Sequence, residues 1–150
     1  MQSQANTPVI IELMDNPGVM APLLLEAGLP DADIGEVSWM VLLGCLEAEK
    51  LVAAGGLEQC GSELLLRSVV VAPASRGKGL GLMLMAELES RAANKGYESI
   101  FLLTLDAQGY FSEKSGYREI GRESAPEGIR RSSQFTGVCP ASATLMVKNI

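Results

Sequence analysis

Apolar and polar positions follow two different periods along the chain, and the change from one to the other falls within a single stretch. Residues 64–71, Leu-Leu-Leu-Arg-Ser-Val-Val-Val, form an eight-residue run interrupted only by Arg67 and Ser68. Its length and its β-branched end predict a strand buried on both faces rather than a helix. Pro73 closes the run, and Arg76-Gly77-Lys78-Gly79-Leu80-Gly81 follows. Leu80, Leu84, Leu88 and Ala92 then recur at every fourth position, which predicts a helix of about four turns beginning at the glycines. Asn94-Lys95-Gly96 stops it, with the lysine favourable to the helix dipole and Gly96 suited to a left-handed cap.

The rest of the pattern places elements on either side. Residues 9–13 are β-prone, and Asn16-Pro17 predicts a helix running to Glu26 or Ala27, stopped by Gly28, Leu29 and Pro30. Residues 31–36 form an acidic connection. Residues 39–46 and 51–58 predict a hairpin about the polar turn 47–50, and residues 59–63 turn into the central run, so three antiparallel strands precede the glycine loop. Gly55 and Gly56 inside a strand mark a bulge, a close backbone approach or a crowded sheet crossing. After the helix, residues 99–104 predict a buried strand parallel to 64–71 through a right-handed crossover. A helix over 106–114 ends at Gly116, and a strand over 117–120 follows. Residues 122–139 predict a polar excursion with one helical turn, of the kind that carries function in compact domains. Residues 143–147 return as a final strand.

Composition bounds the function. A chain of 150 residues that is 47% hydrophobic is the size of one domain, residues 1–150, with a real core. A net charge of -6 argues against nonspecific nucleic-acid binding, which needs a basic footprint. Arg67, Arg76 and Lys78 still make a local basic cluster that suits one anionic ligand. The glycines let backbone N–H groups converge on that anion, and the helix that follows points its positive dipole end at it. Three scattered cysteines and no histidine argue against disulfides and a metal site and exclude a serine-histidine triad. Acid–base chemistry then falls to carboxylate, tyrosine, thiol, lysine, water or the substrate itself. Residues 1–8 lack a signal-peptide pattern, and no apolar run approaches the roughly 18 residues of a membrane span. No membrane association and a reducing cytoplasm are expected.

The element order and the loop resemble the GNAT superfamily of N-acetyltransferases across nearly the whole chain. Arg76, Gly79 and Gly81 fill that family's loop pattern of Gln or Arg, two residues, Gly, one residue, Gly or Ala. Lys78 is followed by Gly79 rather than Ser or Thr, unlike a Walker loop, and antiparallel strands precede the loop, unlike a Rossmann fingerprint. Phe111 to Tyr117, Phe-Ser-Glu-Lys-Ser-Gly-Tyr, is similar to the superfamily's Phe-Tyr-Glu-Lys-Leu-Gly-Phe element. Ser112 stands where the family usually places a tyrosine, often the general acid toward the departing thiolate. Tyr110 lies about 200° away from it round an ideal helix. Residues 65–69 and 135–146 further resemble the N-acetyltransferases encoded with arsenic-resistance genes.

The resemblance implies an α/β (α+β) fold: one GNAT-type domain with a mixed central sheet of about six to seven strands and helices on both faces. It implies acetyl-CoA as cofactor and transfer of acetyl to the amine of a small molecule, an amino acid or an arsenic-containing analogue among the acceptors. Residues Arg76, Gly77, Lys78, Gly79, Leu80 and Gly81 would hold the pyrophosphate. The backbone of Val69, Val70 and Val71 would pair with pantetheine and polarise the thioester. Glu58 leads as a base acting through water, with Glu47 second, and Tyr110 and Ser112 are the remaining catalytic candidates. Arg122 and Arg130, with Arg131, suit an acceptor carboxylate. Cys139 is either a thiol that relays acetyl or meets arsenic, or a packed side chain. The rival reading is a non-catalytic acyl-CoA sensor, motivated by Ser112. A homodimer through a late edge strand remains open.

Overall fold

The computed structural model describes residues 7–29, 34–138 and 142–150. Seven strands form one mixed sheet: β1 (Val9–Glu12), β2 (Trp39–Glu47), β3 (Lys50–Cys60), β4 (Glu63–Val71), β5 (Ser99–Thr104), β6 (Arg118–Ile120) and β7 (Thr144–Asn149). They lie in the order β1-β2-β3-β4-β5-β7-β6. The first four pair antiparallel, β4 and β5 pair parallel, and β7 inserts antiparallel between β5 and the edge strand β6.

The central run has the two-faced burial its composition predicts. Leu64 and Leu66 pack with Leu84 and Leu88 of α2 (Leu80–Asn94) on one face. Leu65 packs on the other face with Ile129 of α4 (Glu127–Arg130) and Leu145 of β7, and Val70 packs there with Leu24 of α1 (Ala21–Glu26). Alternate side chains of one strand thus tie together helices on both sides of the sheet. At the far end of α2, Tyr97 N–H donates to the Ala92 carbonyl and Gly96 N–H to the Ala93 carbonyl, with Gly96 at φ +94°. This Schellman cap fixes the point where the chain turns back into β5.

Two expectations change. The helix starting at Pro17 is a 3-10 turn, Pro17–Met20, and α1 begins only at Ala21. Pro22 is the cause: it has no N–H to donate into a continuous helix from Pro17, but it fits the first turn of a new one. The excursion is also more structured than one turn, with a 3-10 turn Arg122–Ser124, α4 and a π-helical turn Gln134–Val138.

Gly55 and Gly56 combine the roles their position suggested. A Cβ on Gly56 would lie 2.5 Å from the Trp39 ring, so this is a crowded crossing. Gly55 stands opposite a bulge in β4: Ala54 pairs with Val70 and Gly56 with Arg67, which leaves Ser68 and Val69 facing one residue. Ser68 takes φ +63° to make that bulge.

Candidate active site

The parallel pairing of β4 with β5 is short. Only Leu65 with Phe101 and Leu66 with Leu102 are in register, although both strands run on. Beyond Leu66 the β5-facing edge of β4 has no strand partner among the described residues, while its other edge stays paired to β3 up to Val71. The sheet therefore splits, and a cavity of about 990 Å³ opens in the gap. Arg67, Ser68, Val69, Val70 and Val71 form one wall, residues 102–107 the other, and Arg76, Gly77, Gly79, Leu80 and Gly81 the mouth.

The loop has the geometry its glycines permit. Pro73–Ser75 makes a 3-10 turn, Arg76 is extended, and Gly77 and Gly79 take φ +83° and +79°. Gly79 caps α2 in the left-handed conformation, so the first amides of a 15-residue helix open at the cavity mouth. Arg76 Nε donates to the Val71 carbonyl at 3.0 Å, which folds this side chain back onto the end of β4. Lys78 is not part of the wall; its Nζ lies 3.4 Å from the Glu47 carboxylate.

Tyr110 and Ser112 part company on α3 (Gln108–Ser115). Tyr110 lines the cavity, and its Oη lies 3.2 Å from the point where a Cβ on Gly81 would stand. Its ring meets Phe111 edge to face at 5.5 Å, and Phe111 meets Tyr117 in the same way at 5.9 Å. Burial pushes the Tyr110 hydroxyl pKa above its ordinary value. Ser112 is exposed, donates to the Gly109 carbonyl at 3.3 Å, and is absent from the wall.

Glu58 sits behind Arg67. The Arg67 side chain is wholly buried, donates to Glu58 Oε1 at 3.0 Å, and lies 5.7 Å from the Trp39 ring centre. Arg67 lines the large cavity, whereas Glu58 lines a separate one of about 480 Å³ between the β3–β4 turn and α4. Two of the excursion's three arginines bind backbone carbonyls. Arg122 donates to the carbonyls of Ala143 and Phe135 and stacks 4.2 Å from the Phe135 ring centre. Arg130 donates to the carbonyls of Ala125 and Glu123 at 2.9 and 3.0 Å. Arg131 pairs with Glu127 at the surface. Cys139 lies outside the described residues.

Two further polar residues belong to the wall. Ser68 Oγ is buried without a hydrogen-bond partner beside the cleft. Gln134, 5% exposed, reaches the wall from the π-helical turn. Ser68 and Arg67 were visible as the two polar interruptions of the central run. Gln134 carries no local signal.

A mixed sheet split beside a glycine loop that opens a helix defines a class: an α/β domain whose cleft between two parted strands opens at a helix N-terminus. The chain belongs to the acetyltransferase (GNAT) family, whose model matches residues 22–117. It is 36% identical over 66 residues to an uncharacterized N-acetyltransferase of Chlorobaculum tepidum, an alignment covering 44% of this chain and 41% of that protein. The matched stretch thus spans about two fifths of that relative's length. Among solved structures, an acetyltransferase of the GNAT family from Staphylococcus aureus Mu50 superposes with a TM-score of 0.79 at 17% identity, over 95% of this chain and 99% of that one. N-acetylglutamate synthase from Neisseria gonorrhoeae, complexed with coenzyme A and N-acetyl-glutamate, gives 0.73 at 16% identity, over 95% of this chain and 35% of that one. No helix among the described residues is long and apolar enough to cross a membrane.

Proposed function

We propose that the chain is an acetyl-CoA-dependent N-acetyltransferase acting on the amine of a small molecule. One juxtaposition carries the reading: the split between β4 and β5 opens directly onto the glycine loop. The residues suit the coenzyme. A Cβ at Gly77 or Gly79 would meet open space, so the loop presents bare backbone.

The coenzyme supplies the acetyl thioester. Loop amides and the first amides of α2 would hold its pyrophosphate, with Arg76 alongside. The β5-facing edge of β4 at Val69, Val70 and Val71, which has no strand partner among the described residues, would take the pantetheine arm as a strand takes a neighbour, and a backbone N–H there would polarise the thioester carbonyl. Tyr110 lines the cleft and, with burial raising its pKa, stays protonated at neutral pH, so it would be the group placed to protonate the leaving sulfur. Glu58, ion-paired to Arg67 and outside the cleft wall, positions that guanidinium rather than meeting the amine, whose proton would pass to solvent water. The acceptor, such as an amino acid or an arsenic-containing analogue, would lie against the part of the wall that holds Gln134. Arg122 and Arg130 act on the acceptor through the shape of the excursion.

The test is thiol release from acetyl-CoA across a panel of amines that includes amino acids and organoarsenicals. Release matched by acetylated product supports the enzyme, while coenzyme binding without release from any amine favours the sensor. Gly79→Glu should abolish coenzyme A binding in a folded protein, and unchanged affinity would overturn the cofactor reading.

A further inference from the structure

The β2–β3 turn reaches under the glycine loop. Glu47 ends β2, and its carboxylate is only 13% exposed. It accepts from two loop side chains: Ser75 Oγ at 3.1 Å, and Lys78 Nζ at 3.4 Å from each oxygen. Ser75 is itself buried, so its bond secures the base of the loop, whereas Lys78 lies half in solvent. The turn that presents Glu47 is strained: Ala48 and Glu49 take φ +50° and +67°, in a two-residue turn that ordinarily recruits asparagine and glycine.

By charge alone this carboxylate is misplaced. A negative group beneath an anion-binding loop opposes the anion through Coulomb repulsion. Glu47 is also absent from the cleft wall, and its oxygens are engaged by the loop, which argues against the role of catalytic base. The arrangement is useful if the loop must be fixed before the anion arrives, since ordering residues 75–79 on binding would cost conformational entropy. We infer that Glu47 is a positioning residue, a latch that holds the glycine loop in its anion-receiving shape. The inference rests on the coenzyme A reading above.

The two explanations differ in sign. A latch predicts that Glu47→Ala weakens coenzyme A binding about tenfold, the scale of one lost charge-assisted hydrogen bond. In the ligand-free protein, amides of residues 75–81 should exchange faster with deuterium. The turnover number at saturating acetyl-CoA should hold, and so should turnover of S-acetylpantetheine, which lacks the pyrophosphate. Glu47→Gln keeps an acceptor for Ser75 Oγ and should recover most of the affinity. Calorimetry and hydrogen exchange read these outcomes without catalysis. Tighter coenzyme A binding in either variant, or unchanged affinity in Glu47→Ala, would overturn the latch. So would an equal fall in turnover with both donors, which would mark Glu47 as a base. Wild-type protein that binds no coenzyme A overturns the coenzyme reading itself, whereas binding indifferent to Glu47 overturns the latch alone.

Discussion

Ser68 occupies a left-handed conformation in mid-strand, and its hydroxyl is buried without a partner. The backbone cost for a non-glycine residue is about 1–2 kcal/mol, and a buried unsatisfied hydroxyl adds about 1–3 kcal/mol. Such local cost persists where a site needs the geometry, here the bulge that frees the edge of β4. Ser68→Gly keeps the bulge and removes both costs, against roughly 1 kcal/mol of added chain entropy. The net gain is about 1–4 kcal/mol, so the expected result is a thermal midpoint raised by about 2–4 °C for each kcal/mol gained. A lower midpoint would refute the strain assignment. Tyr110 allows a sharper kinetic test. As the proton donor, Tyr110→Phe should lose about a hundredfold in kcat, while Ser112→Ala, outside the cleft, stays within about twofold of wild type. The hydroxyl is needed protonated, so wild-type kcat should fall as pH rises past its raised pKa, above the ordinary 10.0. That alkaline limb should be absent from Tyr110→Phe, and a limb that persists would assign it to another group.

At the scale of elements, legibility followed locality. β4 and α2 were readable because a two-faced apolar run and a four-residue repeat are written in consecutive residues. The break at Pro22 is equally local and was overshadowed by the stronger start signal at Pro17. The gap between β4 and β5 was not readable from pattern, because the point where two strands separated by residues 72–98 cease to pair depends on the bulge at Ser68 and the turn at Pro73 together. Arginine roles in the excursion were hidden for a related reason: a guanidinium suits a backbone carbonyl as well as it suits a substrate carboxylate, and sequence does not distinguish them. Arg130 joins α4 to the carbonyls of Ala125 and Glu123. Arg130→Ala should therefore cost about 1–3 kcal/mol of stability and speed amide exchange over residues 122–132. Loss of order there should raise the acceptor KM while acetyl-CoA affinity holds. A changed coenzyme affinity at unchanged stability would place Arg130 at the cofactor instead.

For the whole molecule, the buried titratable groups share one direction. Burial, reinforced by the nearby Glu58 charge, pushes the Cys60 thiol from its ordinary 9.0 up to about 12. Burial also raises Cys45 and Tyr117, the latter with help from the Glu89 charge. A raised folded-state pKa means that the native protein keeps protons which the unfolded chain has released. Above the unfolded pKa, each such group pulls the equilibrium toward unfolding by about 1.4 kcal/mol per pH unit, until the folded form titrates as well. Their contribution is fully present below about pH 8.5, where free thiols begin to ionise, and is lost progressively toward pH 12. With no histidine in the chain, side-chain titration between pH 6 and 8 adds little slope. Thermal unfolding should therefore be nearly flat from pH 6 to 8 and decline steeply above pH 9. Cys60→Ala removes one contributor, so its midpoint starts lower at pH 7 for the lost packing yet falls less per pH unit than wild type between pH 9 and 11. Parallel slopes for the two proteins would show that the Cys60 thiol is not held protonated by the fold.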